Sequence, residues 1–385
     1  MADPPRSEAP STVEEAGEVM RGAGTEQLRV RPRGGGTKLS WGQPTEVPDL
    51  EVSTERLDQI LEHNEGDLTA VLQAGVPFAK AQEAFGQADQ RIALDPPLGD
   101  GDTATIGGVI ATGDSGPLRH RYGAGRDLIL GVSVALSDGT VARSGGKVIK
   151  NVAGYDLPKL FTGSFGTLGL ILEVVFRLHP RPPRTVTAVG AAGAAPALGR
   201  AAVRMGHSRL ELEGLDVAWD DGEGELLARC GGTAPEAGAE RAAELMGEAG
   251  LEARLVEEDD DLWERQRARQ RAADGAVVRV SGLPAELERV LESAHELGAS
   301  VVGRAGVGLS WVALPPAEAS DLVAGVEELR RRLRPFPCVV LDAPVEVREK
   351  VDVWGEAEAL ELMRRVKERF DPHRVCNPGI FAGGI

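Results

Sequence analysis

The stretch from Asp102 to Leu178 constrains this chain more than any other. It reads TATIGGVIATG over Thr103–Gly113, RYGAGRDLILGVSVALSDGTV over Arg121–Val141 and KVIKNVAGYDLPKLFTGSFGTLGLILEVVFRL over Lys147–Leu178. Its glycines stand at the ends of β-branched runs, where a backbone must turn with positive φ or approach something closely. Gly107-Gly108 and the trio Gly163, Gly166 and Gly169 predict backbone N–H groups that are free to face an anion. A diphosphate held by main-chain amides is the natural candidate.

At 385 residues the chain is too long for one ordinary core and predicts two domains. Its 49 glycines are an excess, yet abundant Val, Ile and Leu runs argue for a loop-rich binding domain over a disordered chain. A net charge of −17 excludes nucleic acid and anionic lipid as direct partners. Gly, Asp or Arg breaks every apolar run before the roughly 18–20 residues of a membrane span. No cationic and apolar leader opens the chain, so the expected place is the cytoplasm, with peripheral attachment at the inner membrane face through partners. Cys230, Cys338 and Cys376 are too few and too scattered for an iron–sulfur cluster, a zinc site or a disulfide scaffold. A metal-free chain is expected.

Residues 1–11 are polar and Pro-rich and predict a disordered tail. Thr12–Gly22 predicts a helix with Thr12 as N-cap. Leu28–Pro32 predicts a strand, EVSTERLDQILEHN a strand and a helix, LTAVLQAGVP a strand and VPFAKAQEAFGQA a helix. LILGVSVAL, TVARSG and LGLILEVVFRL read as strands until PRPP, at Pro180–Pro183, ends them. From Thr185 to about Pro344, Ala- and Glu-rich amphipathic segments alternate with strands such as AVVRVSGL and SWVALP, giving a second α/β domain. A helix over Glu356–Phe370 and DPHRVCNPGIF close the chain. No internal repeat stands out.

Three loops carry the chemistry. The first is Arg33-Gly34-Gly35-Gly36-Thr37, after a strand; taken alone it reads first as a flexible turn. The second is Thr105-Ile106-Gly107-Gly108, preceded by the stiff Pro96-Pro97. The third is Gly163-Ser164-Phe165-Gly166-Thr167-Leu168-Gly169, leading into a strand. A nicotinamide fingerprint needs G-x-G-x-x-G between a strand and a helix, and the spacing here is G-x-x-G-x-x-G with a strand behind it. Gly123-Ala124-Gly125 lacks the third glycine, since Leu128 stands there. Gly146-Lys147 is followed by Val148, so a Walker loop also fails.

In this order the three loops resemble the FAD-binding domain of the vanillyl-alcohol oxidase / p-cresol methylhydroxylase type, over about Pro10–Pro183. VRPRGGGTKLSWG, TATIGGVIATG and KNVAGYDLPKLFTGSFGTLG are most similar to the FAD-binding subunits of bacterial glycolate oxidases. The resemblance implies an α+β fold: a two-subdomain FAD-binding domain over 12–183, an α/β cap over 184–345, and a C-terminal helix and strand over 346–385 returning to the first domain. It places Gly34, Gly35, Gly36 and Thr37 on the diphosphate, with Thr105, Ile106, Gly107 and Gly108 on its opposite side. Gly163, Gly166, Gly169 and Ile171 would line the adenosine and diphosphate end. Asn151, Gly154, Tyr155 and Asp156 would support the flavin cavity. Arg33, Pro97, Thr112, Gly123, Ser164, Thr167 and Asn377 complete the implied cofactor set. Family members with covalent flavin carry His where Thr37 stands, so the implied FAD is non-covalent.

Related 2-hydroxy-acid dehydrogenases carry a motif close to G-H-A-G-D-G-N-x-H in the cap, supplying imidazoles and a carboxylate for metal and substrate. Here the matching run is Gly303-Arg304-Ala305-Gly306-Val307-Gly308-Leu309-Ser310-Trp311. Val and Leu neither ligate a metal nor take a proton, so the hydroxy-acid site is expected to be lost and no catalytic base is singled out. His120 and the Arg265–Arg271 run read either as functional groups or as solvated loop and helix faces. The implied function is an FAD subunit of a complex oxidising glycolate or a similar 2-hydroxy acid, with a substrate-binding flavoprotein and an iron–sulfur subunit as partners. The alternatives are a self-sufficient FAD oxidoreductase of another hydroxy acid or sugar, and a subunit whose FAD is structural.

Overall fold

The computed structural model describes residues 4–147 and 156–385. They form two compact units. The first comprises residues up to Ser115, Gly123–Arg181 and Ala357–Ile385; the second comprises Gly116–Tyr122 and Pro182–Glu356.

The first unit opens with β1 (Arg6–Glu8), α1 (Val13–Glu26), β2 (Val30–Arg33) and β3 (Leu50–Ser53). β1 corrects the expectation of a disordered tail: residues 6–8 pair in parallel with β3, which also pairs in parallel with β2. The backbone groups of β3 have neighbours on both sides, and all four of its residues are buried. In α1, Thr12 caps the helix by accepting the amide of Glu15, as its spacing predicts. Val13, Ala16, Met20 and Ala23 recur on one helical face and are buried.

A second sheet is antiparallel. It is built from β4 (Ile60–Asn64), β5 (Thr69–Gln73), β7 (Ile129–Ala135), β8 (Val141–Gly145) and β9 (Leu170–Arg177), in the order β4-β5-β9-β7-β8. Between β5 and β7 in the chain lie α2 (Phe78–Gly86), α3 (Ile106–Thr112) and two one-turn helices, Arg119–Tyr122 and Gly125–Leu128, and the short β6 (Gln90–Arg91) pairs with β10 (His179–Pro180). One expectation is corrected here, and the second glycine loop proves to open a helix. Ile60–Asn64 is a strand, where a helix was predicted, because it pairs antiparallel with β5. The TIGGVIAT run is a helix capped by Thr105, because its β-branched residues point two ways, into the core at Ile106, Val109 and Ile110 and away at Thr112. One core joins both sheets. Val30, Leu50, Val52, Ala135, Leu170 and Leu172 pack together with Val375 and Cys376 of the C-terminal segment.

The second unit carries one eight-stranded antiparallel sheet. Its strands are β11 (Arg184–Ala192), β12 (Leu212–Asp220), β13 (Glu223–Gly232), β14 (Glu252–Val256), β15 (Ala276–Ser281), β16 (Ser300–Arg304), β17 (Leu309–Leu314) and β18 (Cys338–Asp342), ordered β14-β11-β13-β12-β16-β17-β15-β18. Helices Ala195–Gly206 and Pro235–Glu248 follow β11 and β13; helices Leu287–His295 and Ala319–Leu333 follow β15 and β17. Each half is therefore a β-α-β-β-α-β unit, and the halves join edge to edge where β12 meets β16. The repeat that the residues do not reveal is present in the topology. The helices bury one core with the strands, from Leu198, Ala202 and Met246 to Val326 and Leu329.

Candidate cofactor site

A cavity of about 850 Å³, including its open mouth, lies in the first unit between the end of β2, α3 and the start of β9. Of the predicted residues, Arg33, Gly34, Gly35, Gly36, Thr37, Thr105, Gly107, Gly108, Thr112, Gly166, Gly169, Ile171 and Asn377 line it. Ile106 is fully buried beneath it, and Pro97 contributes a carbonyl to a lining side chain. Ser164 and Thr167 brace the third loop from within, donating their hydroxyls to Phe161 O and Ser164 O at 2.8 and 2.7 Å. Gly163 is tied by its amide to Ile110 O. Gly123 turns with φ +80° against Asp127, outside the lining. Asp156 is exposed and pairs with Lys159 at 2.8 Å. Asn151, Gly154 and Tyr155 lie outside the described residues.

Backbone bonding separates the loops by role. Among the described residues, no hydrogen bond engages the amides of Gly34, Gly35 and Gly36. A Cβ on Gly34 would collide with Thr105 Oγ1, and one on Gly35 with Thr103 O, so the loop lies flat against the segment before α3. Free amides on a strip that only glycine can form suit an anion. The second loop departs from the expectation of free amides. Gly107 N–H donates to Ala74 O at 2.7 Å and Ile106 N–H to Val76 O at 3.0 Å, while Gly108 N–H takes Thr105 Oγ1 at 3.4 Å as its cap. Gly107 is required for close packing: a Cβ there would stand 2.7 Å from Ala74 Cβ. In the third loop Gly166 has φ +71°, and its Cβ would meet Pro32 Cγ at 3.0 Å.

The C-terminal segment completes the wall. Asn377, with φ 43°, donates Nδ2 to Phe165 O at 2.8 Å, and Phe165 itself has φ 54°. Left-handed backbone at a bulky residue is held only where its surroundings over-determine it, and such strain gathers at ligand sites. Asn377 N–H donates to Val30 O and Val30 N–H to Val375 O, so the expected returning strand is present as a single parallel bridge between Val30 and Cys376. Behind it, the buried ammonium of Lys367 donates to Thr167 O, Asp371 Oδ2 and Cys376 O at 2.7, 2.6 and 2.8 Å. That one cation holds the third loop and the C-terminal segment together.

Sequence reasoning passed over Arg31, Lys38, Phe165 and Ile380, which also line the cavity. Arg31 and Arg33 each reach Glu51 at 2.9 Å. Burial alone would raise the Glu51 carboxyl; the hydrogen bonds from Arg33 and Arg31 outweigh it and hold the group below the usual carboxylate range. The alternation of Arg31 and Arg33 on β2 with Glu51 opposite on β3 was the available signal. Burial pushes up all three cysteine thiols, Cys230 and Cys338 to about 11, so they serve as packing groups.

In the second unit, the run Gly303–Trp311 is a hairpin: β16, one turn of 3-10 helix over Ala305–Val307, then β17. Arg304 is fully buried. Its Nη1 donates to Asp216 Oδ2 at 2.5 Å, its Nη2 to Gln270 Oε1, and its guanidinium lies 4.8 Å from the Trp311 ring centroid. Gly306 packs on the His120 imidazole, which leaves 2.5 Å for a Cβ, and Gly308 turns with φ +69°. The small residues of the run are thus those the hairpin needs. Burial, and then Arg121, keeps His120 below the ordinary imidazole pKa. Trp263, in the helix Asp260–Ala268, is buried and donates to Thr187 Oγ1 at 2.8 Å, while Arg269 and Arg271 pair with Asp220 and Asp342.

With this geometry in place, the comparisons with known proteins decide the cofactor. Residues 5–145 match the family model described as FAD binding domain, and residues 351–380 match FAD linked oxidases, C-terminal domain. The protein is an FAD-dependent oxidoreductase. Its fold is that of alkyldihydroxyacetonephosphate synthase, with a TM-score of 0.73 at 15% identity, covering 97% of this chain and 76% of that one. A D-2-hydroxyglutarate dehydrogenase of Xanthomonas citri pv. viticola is 29% identical over 96% of this chain and 87% of its own. Glycolate oxidase subunit GlcE of Escherichia coli is 36% identical over 39% of this chain and 42% of its own. FAD is the cofactor, and the cavity with its three free glycine amides is built for a group of that kind. No helix among the described residues is long and apolar enough to cross a membrane.

Proposed function

We propose that this FAD-dependent oxidoreductase is a flavin-bearing subunit of a complex that oxidises glycolate or a similar 2-hydroxy acid, with a substrate-binding flavoprotein and an iron–sulfur protein as partners. The observation that carries the reading is the state of the cap hairpin. Arg304, at the first imidazole position of the hydroxy-acid motif, is committed to a buried knot with Asp216, Gln270 and Trp311. Val307 and Leu309 offer no proton acceptor where the motif has a carboxylate and an amide. The likeness to a glycolate oxidase subunit supports the same reading.

FAD, when bound, supplies a two-electron acceptor. The amides of Gly34, Gly35 and Gly36 hold its diphosphate, and Gly166, Gly169 and Ile171 line the remainder of its bed. Asn377 and Phe165 fix the wall through their shared hydrogen bond. Thr37 carries no imidazole to bond the flavin ring, so the attachment is non-covalent.

The similarity to a D-2-hydroxyglutarate dehydrogenase over nearly the whole chain favours a second reading, a dehydrogenase that acts alone. Turnover of the purified flavoprotein with glycolate, D-lactate and D-2-hydroxyglutarate and a dye acceptor separates the two. The subunit reading expects little turnover by the chain alone and recovery on co-expression with its partners. Saturable turnover of any of these acids by the chain alone overturns it.

A further inference from the structure

Among the described residues, three cationic side chains line the cavity, and two of them, Arg31 and Arg33, are spent on Glu51. The third, Lys38, follows the glycine loop and has a side chain only 5% exposed. Its ammonium has one hydrogen-bond acceptor among those residues, Pro97 O at 3.2 Å, and lies over the Trp41 ring at 5.7 Å from the centroid. Asp114 Oδ2 lies 3.2 Å away but outside hydrogen-bond geometry, so that buried oxygen is without a hydrogen-bond partner. Lys367, equally buried in the same unit, has three acceptors at 2.6–2.8 Å. A buried ammonium with donors unspent is costly unless something else accepts from it.

The cavity offers that partner. We propose that Lys38 is the cation met by the isoalloxazine ring of bound FAD, held in place by Asp114 as its counter-charge. Gly34 and Gly35 pack on Thr103–Thr105, at the start of α3, whereas Asp114 lies beyond its end. Seven helical residues separate those points by about 10 Å. With the diphosphate on the glycine amides, Lys38 stands away from it, and the part of FAD that gains negative charge there is the ring when it takes up two electrons. A fixed cation favours that reduced form, whereas the carboxylate of Asp114 opposes it. The inference rests on the placement of the diphosphate proposed above.

The test is the flavin midpoint potential of the holoprotein, measured with the FAD dissociation constant, for wild type, Lys38→Met, Lys38→Arg and Asp114→Asn. Lys38→Met should retain FAD with a potential lower by about 30 mV or more, a tenfold change in a two-electron equilibrium. Lys38→Arg should restore most of it, and Asp114→Asn should move the potential upward. An unchanged potential in flavin-loaded Lys38→Met overturns the proposal. So does weaker FAD binding at constant potential, which would assign Lys38 to the diphosphate. Should Lys38→Met not fold, a potential in Asp114→Asn that stays put or falls overturns it equally. A wild-type protein that binds no FAD would instead contradict the reading of the cavity.

Discussion

At the level of single residues, Arg304 is a charge spent inside the hairpin of the second unit. Its guanidinium is desolvated, paired with a fully buried carboxylate and stacked on an indole. Removing one member of such a pair strands the other charge. Arg304→Met should therefore cost about 3–5 kcal/mol of stability by removing the guanidinium that faces the buried Asp216 carboxylate. The check is the denaturant midpoint of the variant; a midpoint within error of wild type would show that Arg304 is free for another task. Lys38 and Arg304 also differ in legibility. The replacement at 304 could be read from its glycine-rich surroundings, whereas Lys38 sits in a loop where any exposed residue would look the same, and only its burial distinguishes it.

At the level of elements, the three glycine loops carry the cofactor argument, yet their glycines act differently. Those at 34–36 release amides, Gly107 permits contact with Ala74, and Gly166 supplies a left-handed turn against Pro32. Gly166→Val should abolish FAD binding, because its positive φ and the 3.0 Å approach to Pro32 both forbid a branched side chain. Gly107→Val should do the same by driving α3 away from Ala74. Full flavin content in either variant, read from the visible spectrum of the purified protein, would remove that loop from the cradle. The loops were legible because glycine weakens a β-branched run unless the backbone there must turn or come close to a neighbour. Less legible were the elements whose fate is set by partners. β1 is a strand only because β3 offers an open edge, and Ile60–Asn64 is a strand because β5 pairs with it in place of solvent. The helix at Ile106–Thr112 contradicts the β propensity of its residues. Thr105 as cap and the core contacts of Ile106, Val109 and Ile110 decide it.

On the scale of the whole molecule, the two units divide by sheet type. The first combines a parallel and an antiparallel sheet around the cofactor cavity, and the second doubles a β-α-β-β-α-β arrangement into one continuous sheet. The doubling was invisible in the sequence because it conserves connections and layers, not residues; the connecting helix Asp260–Ala268 between halves hides the period further. What the chain does as a whole rests on one claim, that it holds FAD by itself and without a covalent bond, on the glycine loops of the first unit. Acid precipitation of the purified chain, with chromatography of the flavin released, tests this most directly. The expected result is a colourless pellet and a supernatant holding FAD near one equivalent per chain. Flavin that stays with the pellet, or a supernatant containing FMN, would contradict it.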